Sequence, residues 1–274
     1  MAIKDILVHV DTQPGSEDRI AFAADLARKN KAHLTGLHVK AEVVIPMTEN
    51  DVIVPDSLIE DQERVIELQA RAAKDRFDSA IGANEIDGVW RVGRGLAADV
   101  LRHHAHSADL IIVGQQHPDS TEANDVPEGV LQDTGCPTLI MPYAGVGRTF
   151  ARNVMVAWDD SAPAARAVHD SLALIAEAER VEIVAVQDKE SETDADPCAE
   201  ILEHLHRHGV NAESVILRKN GAKVADMLLG HAADTGCDLL VMGSYGHARW
   251  REYIFGGVTE DMLEKTTIPI FTSH

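Results

Sequence analysis

The chain is short of cysteine, of aromatic side chains and of bases, and each shortage removes a class of explanation. Its three cysteines, Cys136, Cys198 and Cys237, are too few and too widely spaced for a disulfide framework or a zinc ribbon. Aromatics make up 4% of the residues, so any core must be built mainly from Val, Ile, Leu and Ala. No apolar run approaches the roughly 20 residues that span a bilayer. The start, Met1 to Asp5, runs into a strand-like segment without a signal-peptide pattern, so a soluble, cytoplasmic protein is expected. Twenty-five basic against 45 acidic side chains leave a formal charge of −20. That excess repels nucleic-acid phosphates and anionic membranes, which excludes both as general partners. An anionic ligand would need a local positive field.

What is present is a repeat. A buried strand, Ile3 to Val10, ends at Asp11, and Gly15-Ser16 opens a helix with Glu17 and Asp18 in its first turn, where the dipole favours acids. Strands at His33–Val39, Val89–Val92, Leu110–Val113 and Thr138–Met141 alternate with helices over about 56–81, 97–107 and 126–133. The order then restarts. Val154–Ala157 ends at Asp159, and Ser161-Ala162-Pro163 opens a helix. Strands follow at Val181–Val186, Ser214–Leu217, Leu239–Met242 and Ile268–Phe271. Between them, Asp196-Pro197 reads as the N-cap and first residue of a helix to about His208, and another helix covers Lys223–Asp234. Asp109-Leu110-Ile111-Ile112-Val113-Gly114 matches Asp238-Leu239-Leu240-Val241-Met242-Gly243. At 274 residues the chain has room for two cores. The expected fold class is α/β: two tandem open parallel-sheet, Rossmann-like domains, 1–146 and 147–274, meeting near Gly145-Val146-Gly147. The closing strands of the halves are expected to pair as an intramolecular pseudo-dimer, with a homodimer as a further option.

Open parallel sheets bind ligands outside the carboxyl ends of their strands, at the switch point of the strand order. In the second half that place carries Gly243-Ser244-Tyr245-Gly246 and, after nine intervening residues, Gly256-Gly257-Val258-Thr259 opening the last helix. Glycines there permit close approach and positive φ, and the first free N–H groups of a helix suit phosphate oxygens. His247, Arg249 and Arg251 would supply positive charge in an acidic protein.

The Gly-x2-Gly-x9-Gly pattern after a strand ending in Met242-Gly243, together with the terminal Asp of the first strand, resembles the ATP-binding signature of the universal stress protein family. The resemblance covers nearly the whole chain, twice. It implies an adenine nucleotide (ATP, ADP or AMP), with Mg²⁺, in the second half. Asp159 would then contact the nucleoside and the Val186 backbone the adenine edge. Met242, Gly243, Gly246, His247, Arg249, Gly256, Gly257, Val258 and Thr259 would surround the phosphates. It further implies a regulatory or stress-response role with an unidentified protein partner. Gly257 stands where the family pattern has a hydroxyl. Losing one side-chain hydrogen bond costs about 0.5–1.5 kcal/mol, roughly tenfold in affinity, which Thr259 would offset. Trp158, just before Asp159, would stack on a base or obstruct it.

The first half reads Gly114-Gln115-Gln116-His117, and Asn124 and Asp125 stand where Gly256 and Gly257 do, so it is expected not to hold ATP in the family manner. Asp11 and Val39 would be relics or line another pocket, and the longer segment from Lys40 to Pro55 would form a lid. His103, His104 and His106 on one helix and His204, His206 and His208 on another read as surface histidines rather than a metal centre. Cys136 and Cys237 read as packing residues. No nucleophile elbow, Walker loop or dehydrogenase glycine fingerprint occurs, and no catalytic residue is nominated. The alternatives are an interaction module without ligand, or a slow ATPase that would have to draw its base from Asp159 or Asp160.

Overall fold

The computed structural model describes residues 2–41, 56–116, 126–131, 134–147, 149–187, 196–219, 221–244 and 257–274. The first half runs β1 (Asp5–His9), α1 (Ser16–Asn30), β2 (His33–Lys40), α2 (Asp56–Asn84), β3 (Gly88–Arg94), α3 (Ala97–Ala105), β4 (Leu110–Gly114), α4 (Val126–Leu131) and β5 (Thr138–Met141). The second runs β6 (Asn153–Trp158), α5 (Ala162–Ile175), β7 (Arg180–Gln187), α6 (Ala199–Arg207), β8 (Ala212–Arg218), α7 (Val224–Thr235), β9 (Leu239–Gly243), α8 (Gly257–Lys265) and β10 (Ile270–Ser273).

All ten strands form one sheet in the order β3-β2-β1-β4-β5-β10-β9-β6-β7-β8. Every pairing is parallel except β5 with β10, where Ile140 faces Ile270 and Thr138 faces Thr272 in antiparallel register. The expected pairing of the two closing strands is therefore present. Within each half the chain leaves the first strand on one side and returns on the other, so the switch points lie between β1 and β4 and between β6 and β9.

Strand residues alternate between two cores, as the pleat requires. Ile6, Val8, Val154 and Val156 pack with Ile20, Phe77, Val168 and Leu205 under α1, α2, α5 and α6. Leu7, Ile111, Met155 and Leu240 pack with Leu101, Val130, Leu228 and Met262 under α3, α4, α7 and α8. The repeated Asp that precedes β4 and β9 has a structural task. Asp109 Oδ2 accepts the N–H groups of Lys4 and Asp5, and Asp238 Oδ1 those of Arg152 and Asn153, so each ties the central strands together at their starts.

Several expected boundaries move by a few residues, and two of the shifts have a side-chain cause. β10 begins at Ile270, not Ile268, because Thr266 Oγ1 donates to the Ile268 carbonyl and accepts its N–H, holding a turn there. Pro269 has no N–H, and its carbonyl accepts from Leu240. α6 begins at Ala199 instead of Pro197: Asp196 Oδ1 accepts the Cys198 N–H at 2.8 Å, making an Asx turn ahead of the helix in place of a cap on it.

Candidate functional site

At the carboxyl edge of the second half, β7, β6 and β9 lie side by side and end together. Trp158 is level with Ala185, and Ala157 with Met242, so Asp159, Val186 and Gly243 emerge next to one another. α8 runs back across the sheet to feed β10, parallel to β9, which places its N-terminal residues Gly257, Val258 and Thr259 at this same edge. Gly246, His247, Arg249, Arg251 and Gly256 lie outside the described residues. Asp159 is exposed, and its Oδ1 accepts the Ser161 N–H at 3.2 Å. Ser161 in turn caps α5, accepting the Ala164 N–H at 3.2 Å. Asp160 supports the turn with a φ of 59°.

Three expectations gain a physical account. Gly243 is crowded by the chain itself: a Cβ there would lie 2.5 Å from the Ala164 nitrogen and 2.6 Å from the Pro163 carbonyl carbon. The glycine is required for α5 to seat on the strand end. Gly257, by contrast, is open among the described residues: a Cβ there would meet none of them within 4 Å. Trp158 is half-buried, and its indole N–H donates to the Pro197 carbonyl at 3.2 Å, which fixes the ring toward α6.

The first half is built differently at the corresponding place. Four residues lie between Asp11 and Ser16, where one lies between Asp159 and Ser161. The third residue after each serine is the one that approaches the strand-end glycine: Ala164 backbone over Gly243, and the Arg19 guanidinium over Gly114. Arg19 is 3% exposed. Its Nη2 lies 2.8 Å from Asp11 Oδ1, its Nε donates to the His9 carbonyl at 3.0 Å, and Nη2 donates to Ser16 Oγ at 3.3 Å. Ser16 Oγ donates to the Asp11 carbonyl at 2.9 Å. Burial pushes the Asp11 carboxyl up, but Arg19, helped by His9 and the Gln13 N–H, outweighs it and leaves Asp11 below its ordinary value. Burial drives His9 down to about 4; Asp11 opposes this, and Arg19 and His38 add to it. His38 is also buried, with Nδ1 2.7 Å from the Val10 carbonyl and its ring stacked on Trp90. Sequence reasoning singled out Asp11 and missed the rest. The available signal was Arg19 itself, a base beside Ile20 on the face that carries Ala23 and Ala27 into the core.

Gln115 is a second feature not foreseen. It follows Gly114 as Ser244 follows Gly243, and is buried. Its amide nitrogen donates to the Leu263 and Glu264 carbonyls at 2.9 Å each, capping the C-terminal end of α8 in the other half, while its oxygen accepts the Tyr143 N–H. Ser244 instead donates to the Ser273 carbonyl. His117, Asn124, Asp125 and the lid segment from residue 42 to 55 lie outside the described residues.

His204 and His208 share a face of α6, and His169 of α5 joins them; the His169 and His208 ring centroids lie 5.0 Å and 4.6 Å from that of His204. No group of three metal-ligating side chains stands in metal-holding geometry among the described residues. All three cysteines are free and buried. Burial pushes Cys136 up to about 12 and Cys198 and Cys237 to about 11, so their thiols are poor nucleophiles. Buried Glu182 is held by the half-exposed Arg180 at 2.6 Å and by His231 of α7 at 3.0 Å.

A mostly parallel open sheet covered by helices on both faces is the Rossmann-like class of α/β fold. More specifically, the family model described as "Universal stress protein family" matches residues 2–142 and again 151–273, and the chain belongs to that family as two tandem copies. The universal stress protein of Archaeoglobus fulgidus has a similar fold, with a TM-score of 0.73 at 17% identity over 98% of this chain and 96% of that one. A functionally unknown protein, PA1789 of Pseudomonas aeruginosa, aligns over 99% of this chain and 92% of its own, with a TM-score of 0.58 at 12% identity. The universal stress protein Slr1230 of Synechocystis is 39% identical over 66 residues. This match spans 23% of the length of that curated relative. Among the described residues no helix is long and apolar enough to cross a membrane.

Proposed function

We propose that the second half, taken as residues 147–274, binds one adenine nucleotide with Mg²⁺, and that the chain is a regulatory rather than catalytic stress-response protein of the cytoplasm. The observation that carries this is the convergence of Asp159, Val186, Gly243 and the start of α8 at one switch point. In this reading Asp159 contacts the nucleoside and the N–H groups of Gly257, Val258 and Thr259 at the start of α8 meet phosphate. The glycine-rich residues Gly246 and Gly256, with His247 and Arg249, complete the cradle. Three buried, unpaired thiols agree with a reducing compartment.

One observation favours a second reading, an interaction module without ligand: packing of α5 is enough to explain Gly243. Natively purified protein, denatured and assayed for released nucleotide by mass spectrometry, decides between them. The nucleotide reading expects about one adenine nucleotide per chain, lost in Asp159→Ala. Absence of nucleotide, and of any heat on adding Mg-ATP, leaves the interaction module.

A further inference from the structure

The unequal treatment of the two switch points has a cause in the first half that does not depend on its glycine loop. The crevice between β1 and β4 is already filled. The Arg19 guanidinium spans it, touching the end of β1 through the His9 carbonyl and Asp11, and lying against the end of β4 at Gly114. A Cβ at Gly114 would collide with Arg19 Nη1. Gly114 therefore admits a side chain from α1, where Gly243 admits the backbone of α5. Charge and shape agree. A guanidinium is planar and permanently charged, and it offers several N–H donors in a fixed fork. Here it meets a carboxylate, a main-chain carbonyl and a serine oxygen, all within 3.3 Å. α1 packs less closely on β4 than α5 does on β9, and the longer Asp11–Ser16 connection accompanies that room.

We infer that the β1–β4 crevice is a guanidinium-binding site occupied by the chain's own Arg19, which closes that crevice to an exogenous ligand. This deepens the one-nucleotide reading above, and its physical core, the filled crevice, is tested separately.

Arg19→Ala should leave a cavity that accepts a free cation of the same class. Methylguanidinium added to Arg19→Ala at low millimolar concentration, against tetramethylammonium at equal ionic strength, should raise Tm saturably, by about 3 °C at ten times its Kd. The wild type should show no such rise, and neither should Arg19→Ala with Asp11→Asn. A rise of equal size in the wild type, or none in folded Arg19→Ala, overturns the inference. Should Arg19→Ala not fold, Arg19→Met keeps much of the stem volume. The Asp11 carboxyl, followed by NMR, should then titrate higher than in the wild type, and an unchanged titration overturns the assignment. Neither readout involves nucleotide. Absence of nucleotide from the second half would therefore sink the proposed function while the guanidinium result still decides this one.

Discussion

Replacing His9 by glutamine removes one buried titration from the first half and keeps a polar side chain of similar reach. In the folded chain burial holds His9 at about 4, against 6.5 in the unfolded chain. Its neighbours are Asp11, which favours the proton, and Arg19 and His38, which oppose it. Because the folded value is the lower one, the unfolded chain takes up the extra proton as pH falls. Stability is therefore lost from about pH 6.5 downward, and the loss is complete near pH 4. At about 1.4 kcal/mol per unit, the interval from 6.5 to about 4 amounts to roughly 3 kcal/mol. Asp11, whose own value is depressed, gives up its contribution only below the ordinary carboxylate value of 3.8, outside this window. The chain has 14 histidines, so the quantity to measure is the difference between wild type and His9→Gln in urea titrations at half-unit steps from pH 7.5 to 4. That difference should shrink or reverse by roughly 3 kcal/mol across the interval. Two curves that stay parallel within about 0.5 kcal/mol would refute the assignment of His9 as a buried neutral base.

Further outcomes follow from other contacts. Gly243→Ala forces a methyl group onto the backbone of Pro163 and Ala164 and should cost about 1–3 kcal/mol in chemical unfolding, whether or not nucleotide binds. Gly257→Ser meets no obstruction among the described residues and places a hydroxyl at the start of α8, so nucleotide affinity measured by calorimetry should rise by up to about tenfold. Gln115→Ala leaves two α8 carbonyls and the Tyr143 N–H without their partner and should lower the unfolding free energy by about 2 kcal/mol. The three thiols, raised to about 11 or 12, should not react with a thiol reagent at pH 8 until denaturant is added; fast labelling of the native chain would contradict their burial.

The repeat was legible because parallel strands covered on both faces must be apolar throughout, and such runs recur in fixed order along this chain. Asp109 and Asp238 stood out as landmarks for a reason now visible, since each gathers two backbone N–H groups at the base of its half. Boundaries moved where a side chain competed with the regular ladder, as Thr266 and Asp196 do. Asp159, Gly243 and Gly257 were singled out because open parallel sheets place their ligands at strand ends. Arg19 escaped because its partners are a main-chain carbonyl, a residue eight positions away and a glycine on another strand, a set that only the closed fold assembles. Gln115 escaped for the same reason, the α8 carbonyls it caps lying about 150 residues onward.

The single antiparallel seam between β5 and β10 has a consequence for what the chain can vary. In a homodimer joined through such a seam, symmetry writes each substitution into both subunits, so a change that shuts one cleft shuts its mate. Covalent fusion breaks that obligation. Here one copy has acquired an inserted turn and an internal cation, while the other keeps a shorter connection and an exposed acid at the matching place. Strand direction reverses across the seam, so the two strand-end clefts open on opposite edges of the sheet. The molecule is a pair whose members can diverge without parting, and each addresses the surroundings from its own side.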